Sequence, residues 1–103
     1  MVETRLPSIS GTESLLLDLL EDRERFGLEL VERSGGAVKR GSVYVLLARM
    51  EAKGFVESWQ EERAPGAIGL PRRMYRATAY GLKVRDAYRL LQEALALKPV
   101  EAQ

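Results

Sequence analysis

The stretch Lys39–Gly54, KRGSVYVLLARMEAKG, constrains this chain more than any other. Val43, Leu46, Leu47 and Met50 recur at i, i+3, i+4 and i+7, which defines one apolar helix face. With Val43 at zero and about 100° per residue, the opposite face carries Gly41, Val45, Ala48 and Ala52, flanked by Ser42 and Arg49. A solvated helix face ordinarily carries Glu, Lys and Gln. Small residues beside one arginine suit close approach to another surface, such as a DNA major groove. They also suit a core helix whose far face happens to be small, so the neighbouring segments decide between the two.

Gly54 ends that helix, and the pattern then switches to a period of two. Phe55–Arg63 alternates Val56, Ser58 and Gln60 against Phe55, Glu57 and Trp59, which predicts a strand with Trp59 in hairpin packing. Ala64–Pro71 is a Pro/Gly loop, and Arg72–Ala77 predicts the returning strand. Upstream, Ser10-Gly11-Thr12-Glu13 is a capping box that opens a helix running to about Glu21. Leu15, Leu16, Leu17, Leu19 and Leu20 are too many for a single stripe, so this helix is expected to face both its own core and a partner chain. Asp22–Arg25 reads as a polar break and Phe26–Gly35 as a second helix, ended by Gly35-Gly36. Two helices joined by a short turn and followed by a hairpin make a winged helix-turn-helix.

Thr78 is placed to cap a last helix, Ala79–Leu97, ended by Lys98-Pro99. Val84, Tyr88, Leu91 and Leu95 form a coiled-coil-like seam along it, widened by Ala87 and Ala94. A helix this apolar has too little domain to pack against, which predicts a homodimer built from it and the leucine-rich first helix. An interface of ~1,500 Å² at ~25 cal/mol per Å² suffices to hold such a dimer. The expected organisation is a flexible arm over 1–9, a winged helix-turn-helix over 10–78, a dimerisation helix over 79–97 and a tail over 98–103. The fold class is α+β, mostly helical.

At 103 residues there is room for one domain. The chain has no cysteine and no histidine. That excludes disulfides, zinc fingers, thiol nucleophiles, Ser–His–Asp triads and histidine metal sites. No remaining carboxylate, Lys, Ser or Tyr pair has the spacing of a catalytic site, so neither an enzyme nor a cofactor is expected. No signal peptide or membrane-spanning run is present, which predicts a soluble, cytoplasmic protein. Net charge is only +1, but it is unevenly spread. Residues 1–38 carry four arginines against eight carboxylates, whereas residues 39–76 carry eight Lys/Arg against four. The basic excess coincides with the Lys39–Gly54 helix and the hairpin, where it can hold a polyanion.

A dimeric winged helix reads double-stranded DNA through an inverted repeat, with half-sites about 34–36 Å apart or a multiple of that. Arg49 is the candidate for a bidentate guanine contact, Ser42 for a base or phosphate, and Val45 and Ala48 for thymine methyls. Lys39, Arg40, Arg63, Arg72 and Arg73 are candidate phosphate ligands. Lys53 reads better as a charge at a helix C-terminus. Tyr44 lies at the border of core and groove, where its ring can pack or its hydroxyl can reach a phosphate. Leu15, Leu16, Val84, Ala87, Tyr88, Leu91 and Leu95 are the candidate dimer contacts. A winged helix that has exchanged DNA for a protein partner is the alternative, favoured by the near-neutral charge and the apolar Val45, Ala48 and Ala52.

Gly41-Ser42-Val43-Tyr44, followed by Leu46, Arg49 and Met50–Ser58, resembles the signature of PadR-type transcriptional regulators. Thr12-Glu13 with the leucine run, Phe26–Leu30, and Arg72–Thr78 with Gly81 extend the resemblance over roughly residues 10–95. It implies a homodimeric repressor, often released by a small aromatic or drug-like effector, in the branch with a single dimerisation helix. By the same analogy an effector cavity would lie near Tyr80 and Tyr88. The chain departs from the family pattern at Val45, where a proline is usual, at Leu28, where a tyrosine is usual, and at an apolar wing tip, Ile68 and Leu70. Base preferences therefore do not carry over.

Overall fold

The computed structural model describes residues 5–96. Its elements run α1 (Gly11–Leu20), β1 (Arg25–Phe26), α2 (Gly27–Arg33), α3 (Val43–Ala52), β2 (Val56–Gln60), β3 (Arg73–Ala77) and α4 (Ala79–Ala96). The three strands form one antiparallel sheet in the order β1-β3-β2. The α+β winged-helix class read from the sequence is the one observed. The end of the predicted last helix at Leu97, the tail over 98–103 and residues 1–4 of the arm lie outside the described residues. None of the helices in the described residues is long and apolar enough to cross a membrane.

The capping box at the start of α1 is complete. Ser10 Oγ accepts from the Glu13 amide at 3.1 Å, and Glu13 Oε1 accepts from the Ser10 amide at 2.9 Å. Leu16, Leu17 and Leu20 from α1 meet Leu30, Val38, Val43, Leu47, Met50, Phe55, Val56, Tyr75 and Val84 in one core. Of the predicted α3 face, Val43, Leu47 and Met50 are fully buried, and Leu46 is partly buried at its edge.

Three boundaries differ from the sequence reading. Arg25–Phe26 is a strand, with Arg25 opposite Tyr75 and Phe26 opposite Met74, so α2 starts at Gly27. Its partner lies some fifty positions downstream, out of reach of local patterning. The α3 helix begins at Val43; Lys39–Ser42 is a turn in which the Ser42 and Val43 amides donate to the Lys39 carbonyl at 3.1 and 3.0 Å. The hairpin strands are shorter than their alternation suggests, because regular pairing ends at Gln60 opposite Arg73.

Two close approaches set how the pieces join. Gly54 has φ +81°, a left-handed stop that lets the chain turn from α3 into β2. Gly81 packs directly on the backbone of Phe55; a Cβ there would sit 2.3 Å from the Phe55 carbonyl oxygen. Thr78 closes the same joint. Its hydroxyl donates to the Gly54 carbonyl at 2.6 Å and accepts from the Gly81 amide at 2.9 Å, and its amide donates to the Phe55 carbonyl at 3.0 Å. The predicted cap of α4 is thus also the bolt between α4 and the end of α3.

Candidate nucleic-acid interface

The face of α3 turned away from the core is open. Ser42, Tyr44, Val45, Ala48 and Arg49 are exposed, as are Lys39 and Arg40 in the preceding turn. Val45 is 61% exposed, more than any other large hydrophobic residue on this helix. The Arg49 guanidinium has no hydrogen bond or ion pair among the described residues, so its donors remain available. An arginine free of partners and surrounded by small side chains can reach into a groove without displacing anything.

Tyr44 performs the packing half of its expected role. Its ring lies against Gly27 at the start of α2, where a Cβ would come within 2.6 Å of the Tyr44 Cε1. Its outer end, Cε1, Cζ and the hydroxyl, is the part beside Gly27, while the residue as a whole is still 49% exposed on the open side of α3. Glycine at 27 therefore sets how close α2 approaches the α3 face.

The wing arginines fare differently from one another. Arg63 turns inward: its guanidinium donates to the Ile68 carbonyl at 2.5 Å and pairs with Glu61 at 3.4 Å. Its donors are thus engaged with the loop itself rather than left open. Arg72 is exposed, with its guanidinium carbon 4.3 Å from the centre of the Phe26 ring. Arg73 is exposed, and its Nε donates to Ser58 Oγ at 3.1 Å, while Ser58 Oγ donates to Glu51 Oε1 at 2.7 Å. That relay ties β3 through β2 to α3, and a serine sharing the register of Val56 on β2 is its only sequence trace. Arg76, opposite Glu57 in register, bonds its carboxylate and lies 5.2 Å from the Trp59 ring centre, consistent with hairpin packing for Trp59. At the wing tip Ile68 and Leu70 are 94% and 87% exposed. Beneath the wing, burial pushes the Tyr75 phenol above its ordinary range; Arg73 opposes this, and Tyr44 and Glu51 reinforce it.

Lys53 at the C-cap of α3 is more than a helix-end charge. Its ammonium donates to both carboxylate oxygens of Glu13 at 3.0 Å and to the Ser8 carbonyl at 3.2 Å.

The residues read as dimer contacts divide into two groups. Leu16 is fully buried and Val84 is 5% exposed inside the protomer, so both face the chain's own core. Their surface is largely used within the protomer, although Val84 still borders the groove along α4. Leu15 and Tyr88 are half-buried, and Ala87, Leu91 and Leu95 are exposed. An apolar groove along α4 is lined by Leu6, Pro7, Tyr80, Val84, Tyr88 and Leu91, which places both tyrosines named above on one surface. The opposite side of α4 is locked to α1 by charge. Arg85, nearly buried, bonds Asp18 at 3.0 Å, Asp86 at 2.9 Å and Glu21, and Arg89 bonds Asp18 at 2.6 Å. Burial alone would lower the Arg85 pKa, but hydrogen bonds to Glu21 and Asp86 outweigh it and hold the guanidinium charge more firmly than usual.

Comparisons with known proteins agree with this geometry. A PadR family transcription regulator from Clostridium difficile superposes with a TM-score of 0.68 at 22% identity, covering 81% of this chain and 88% of that one. A PadR family regulator from Eggerthella lenta gives 0.68 at 25% identity, with 82% and 73% covered. A putative transcriptional regulator from Thermoplasma acidophilum gives 0.61 at 26% identity, with 86% and 95% covered. No curated protein matches the chain. The family described as "Transcriptional regulator PadR-like family" matches residues 16–87, from the core of α1 through the wing and into α4. Over most of its length, then, the chain belongs to the PadR-like family of transcriptional regulators, which are not enzymes.

Proposed function

We propose that this protein is a sequence-specific repressor that binds an inverted-repeat operator in double-stranded DNA as a homodimer and is released by a small aromatic or drug-like effector. The observation that carries the reading is Arg49, exposed and unpaired among the described residues on the small-residue face of α3. Lys39 and Arg40 at the entrance of α3, with Arg72 and Arg73 on the wing, supply exposed positive charge on either side of it in the chain. Base discrimination would come from Arg49, with Val45 and Ala48 against thymine methyls, and the remaining cations would set register on phosphate. The apolar groove beside Tyr80 and Tyr88 supports the effector part of the reading.

A gel-shift titration across salt concentration on a palindromic duplex tests it. Log K is expected to fall linearly with log salt, by about 0.9 per phosphate neutralised. Arg49→Ala is expected to cost about 1–3 kcal/mol on the preferred site and to relax one base position. Absence of duplex binding would instead support a winged helix that docks on protein through Val45 and its small neighbours.

A further inference from the structure

We infer that Pro7–Ser8 is a strap that positions α3 from the far side of α4, and that Tyr88 is its clasp. Two consecutive carbonyls take donors from two different helices. The Tyr88 hydroxyl on α4 donates to the Pro7 carbonyl at 2.5 Å. The Lys53 ammonium at the end of α3 donates to the Ser8 carbonyl at 3.2 Å. The two donors are thus joined through a single residue, Ser8, although α3 and α4 are separated in the chain by the whole wing. Downstream the strap is anchored almost at once, because Ser10 caps α1 and the same Lys53 grips Glu13.

The strap also forms part of the apolar groove, with Leu6 and Pro7 facing Tyr80, Val84 and Leu91. Whatever occupies that face of α4 therefore bears on the peptide that holds the end of α3. Tyr88 acts here as a positioning residue that works through Pro7, Ser8 and Lys53. This role rests on α3 being the DNA-reading helix, and it gives Tyr88 a task within the protomer besides the interface role read from the sequence.

The test compares Tyr88→Phe with wild type, in the full chain and in a chain lacking residues 1–8, by duplex affinity and by amide exchange at residues 50–55. Tyr88→Phe keeps the ring and removes one donor. It is expected to lower duplex affinity about three- to tenfold, with an unchanged salt slope and unchanged assembly by sedimentation, and to speed exchange at the end of α3. Removing residues 1–8 is expected to lower duplex affinity and to speed the same exchange, and Tyr88→Phe is then expected to add nothing to either. A Tyr88→Phe loss of equal size with and without residues 1–8 would overturn the strap, since the hydroxyl would be acting elsewhere. Unchanged exchange in the full chain would overturn it too. If wild type binds no duplex, the DNA reading fails, and the exchange comparison alone decides the strap: faster exchange supports it and unchanged exchange overturns it.

Discussion

Glu13 and Lys53 stand 40 residues apart in the chain and meet through two hydrogen bonds of 3.0 Å. Glu13 is 2% exposed and already serves the capping box of α1. One carboxylate thus starts the first helix and holds the end of the third. Burying that charge is tolerable because the Ser10 amide and the Lys53 ammonium both bond it.

Removing the cation leaves the carboxylate buried with one partner. Lys53→Met is expected to cost about 3 kcal/mol, lowering the thermal midpoint by roughly 10 °C or more in a domain of this size. Adding Glu13→Gln, which can still complete the capping box, should recover about half of that loss. Thermal unfolding of the single and double variants checks this. Equal loss in both would mean that the pair contributes through packing rather than charge.

The two close glycines should respond differently to the same substitution. A Cβ at Gly81 meets the backbone of Phe55 at 2.3–2.9 Å, which cannot move without opening the joint between α3 and α4. Gly81→Ala is therefore expected to destabilise by more than about 2 kcal/mol. At Gly27 the clash is with the outer ring atoms of half-exposed Tyr44, which can swing away. Gly27→Ala should leave stability within about 1 kcal/mol and weaken duplex binding by displacing that ring. Urea denaturation with a gel shift on the same samples separates the two effects.

Tyr75 supplies an alkaline limb. Burial raises its folded-state pKa above 10.0, so the unfolded chain gives up this proton first as pH rises. The contribution is fully present below about pH 10 and is lost as pH climbs through the folded value. Tyr75→Phe has no such proton. Its stability relative to wild type is expected to be flat from about pH 8 to about pH 9.5 and to rise beyond pH 10, measured as urea midpoints. A difference that stays constant through and above about pH 10 would rule the linkage out.

On α4, Leu91 and Leu95 are 50% and 76% exposed, so they contribute little to the protomer. Placing charge at both positions should abolish dimerisation and leave the helical circular-dichroism signal unchanged. Sedimentation at tens of micromolar reads the outcome. A wild type that is monomeric there, or a double Asp variant that still dimerises, would remove α4 from the interface.

Local chemistry was legible in advance wherever it depended on spacing. The capping box at Ser10–Glu13, the buried stripe Val43, Leu47 and Met50, the stop at Gly54, the hairpin and the Thr78 cap are all patterns over a few residues. The open face of α3 follows from the same wheel, since knowing which residues are buried tells which are not.

What spacing could not decide was the partner of each long side chain. Arg63, Arg72 and Arg73 are one residue type in one basic cluster, yet one holds a loop carbonyl, one lies over Phe26 and one bonds Ser58. In the leucine run of α1, Leu16 is sealed in the core while Leu15 is only half-buried. Arg25 became a strand residue because Tyr75 lay opposite it, and Lys53 became a tether because Glu13 and Ser8 lay within reach. The sequence by itself determined the periodic faces, the caps and the turns, which are set by interactions within one or two helical turns. Only the tertiary structure decided which charges stay free to meet a ligand, because each pairing depends on segments tens of residues apart arriving within about 3 Å of one another.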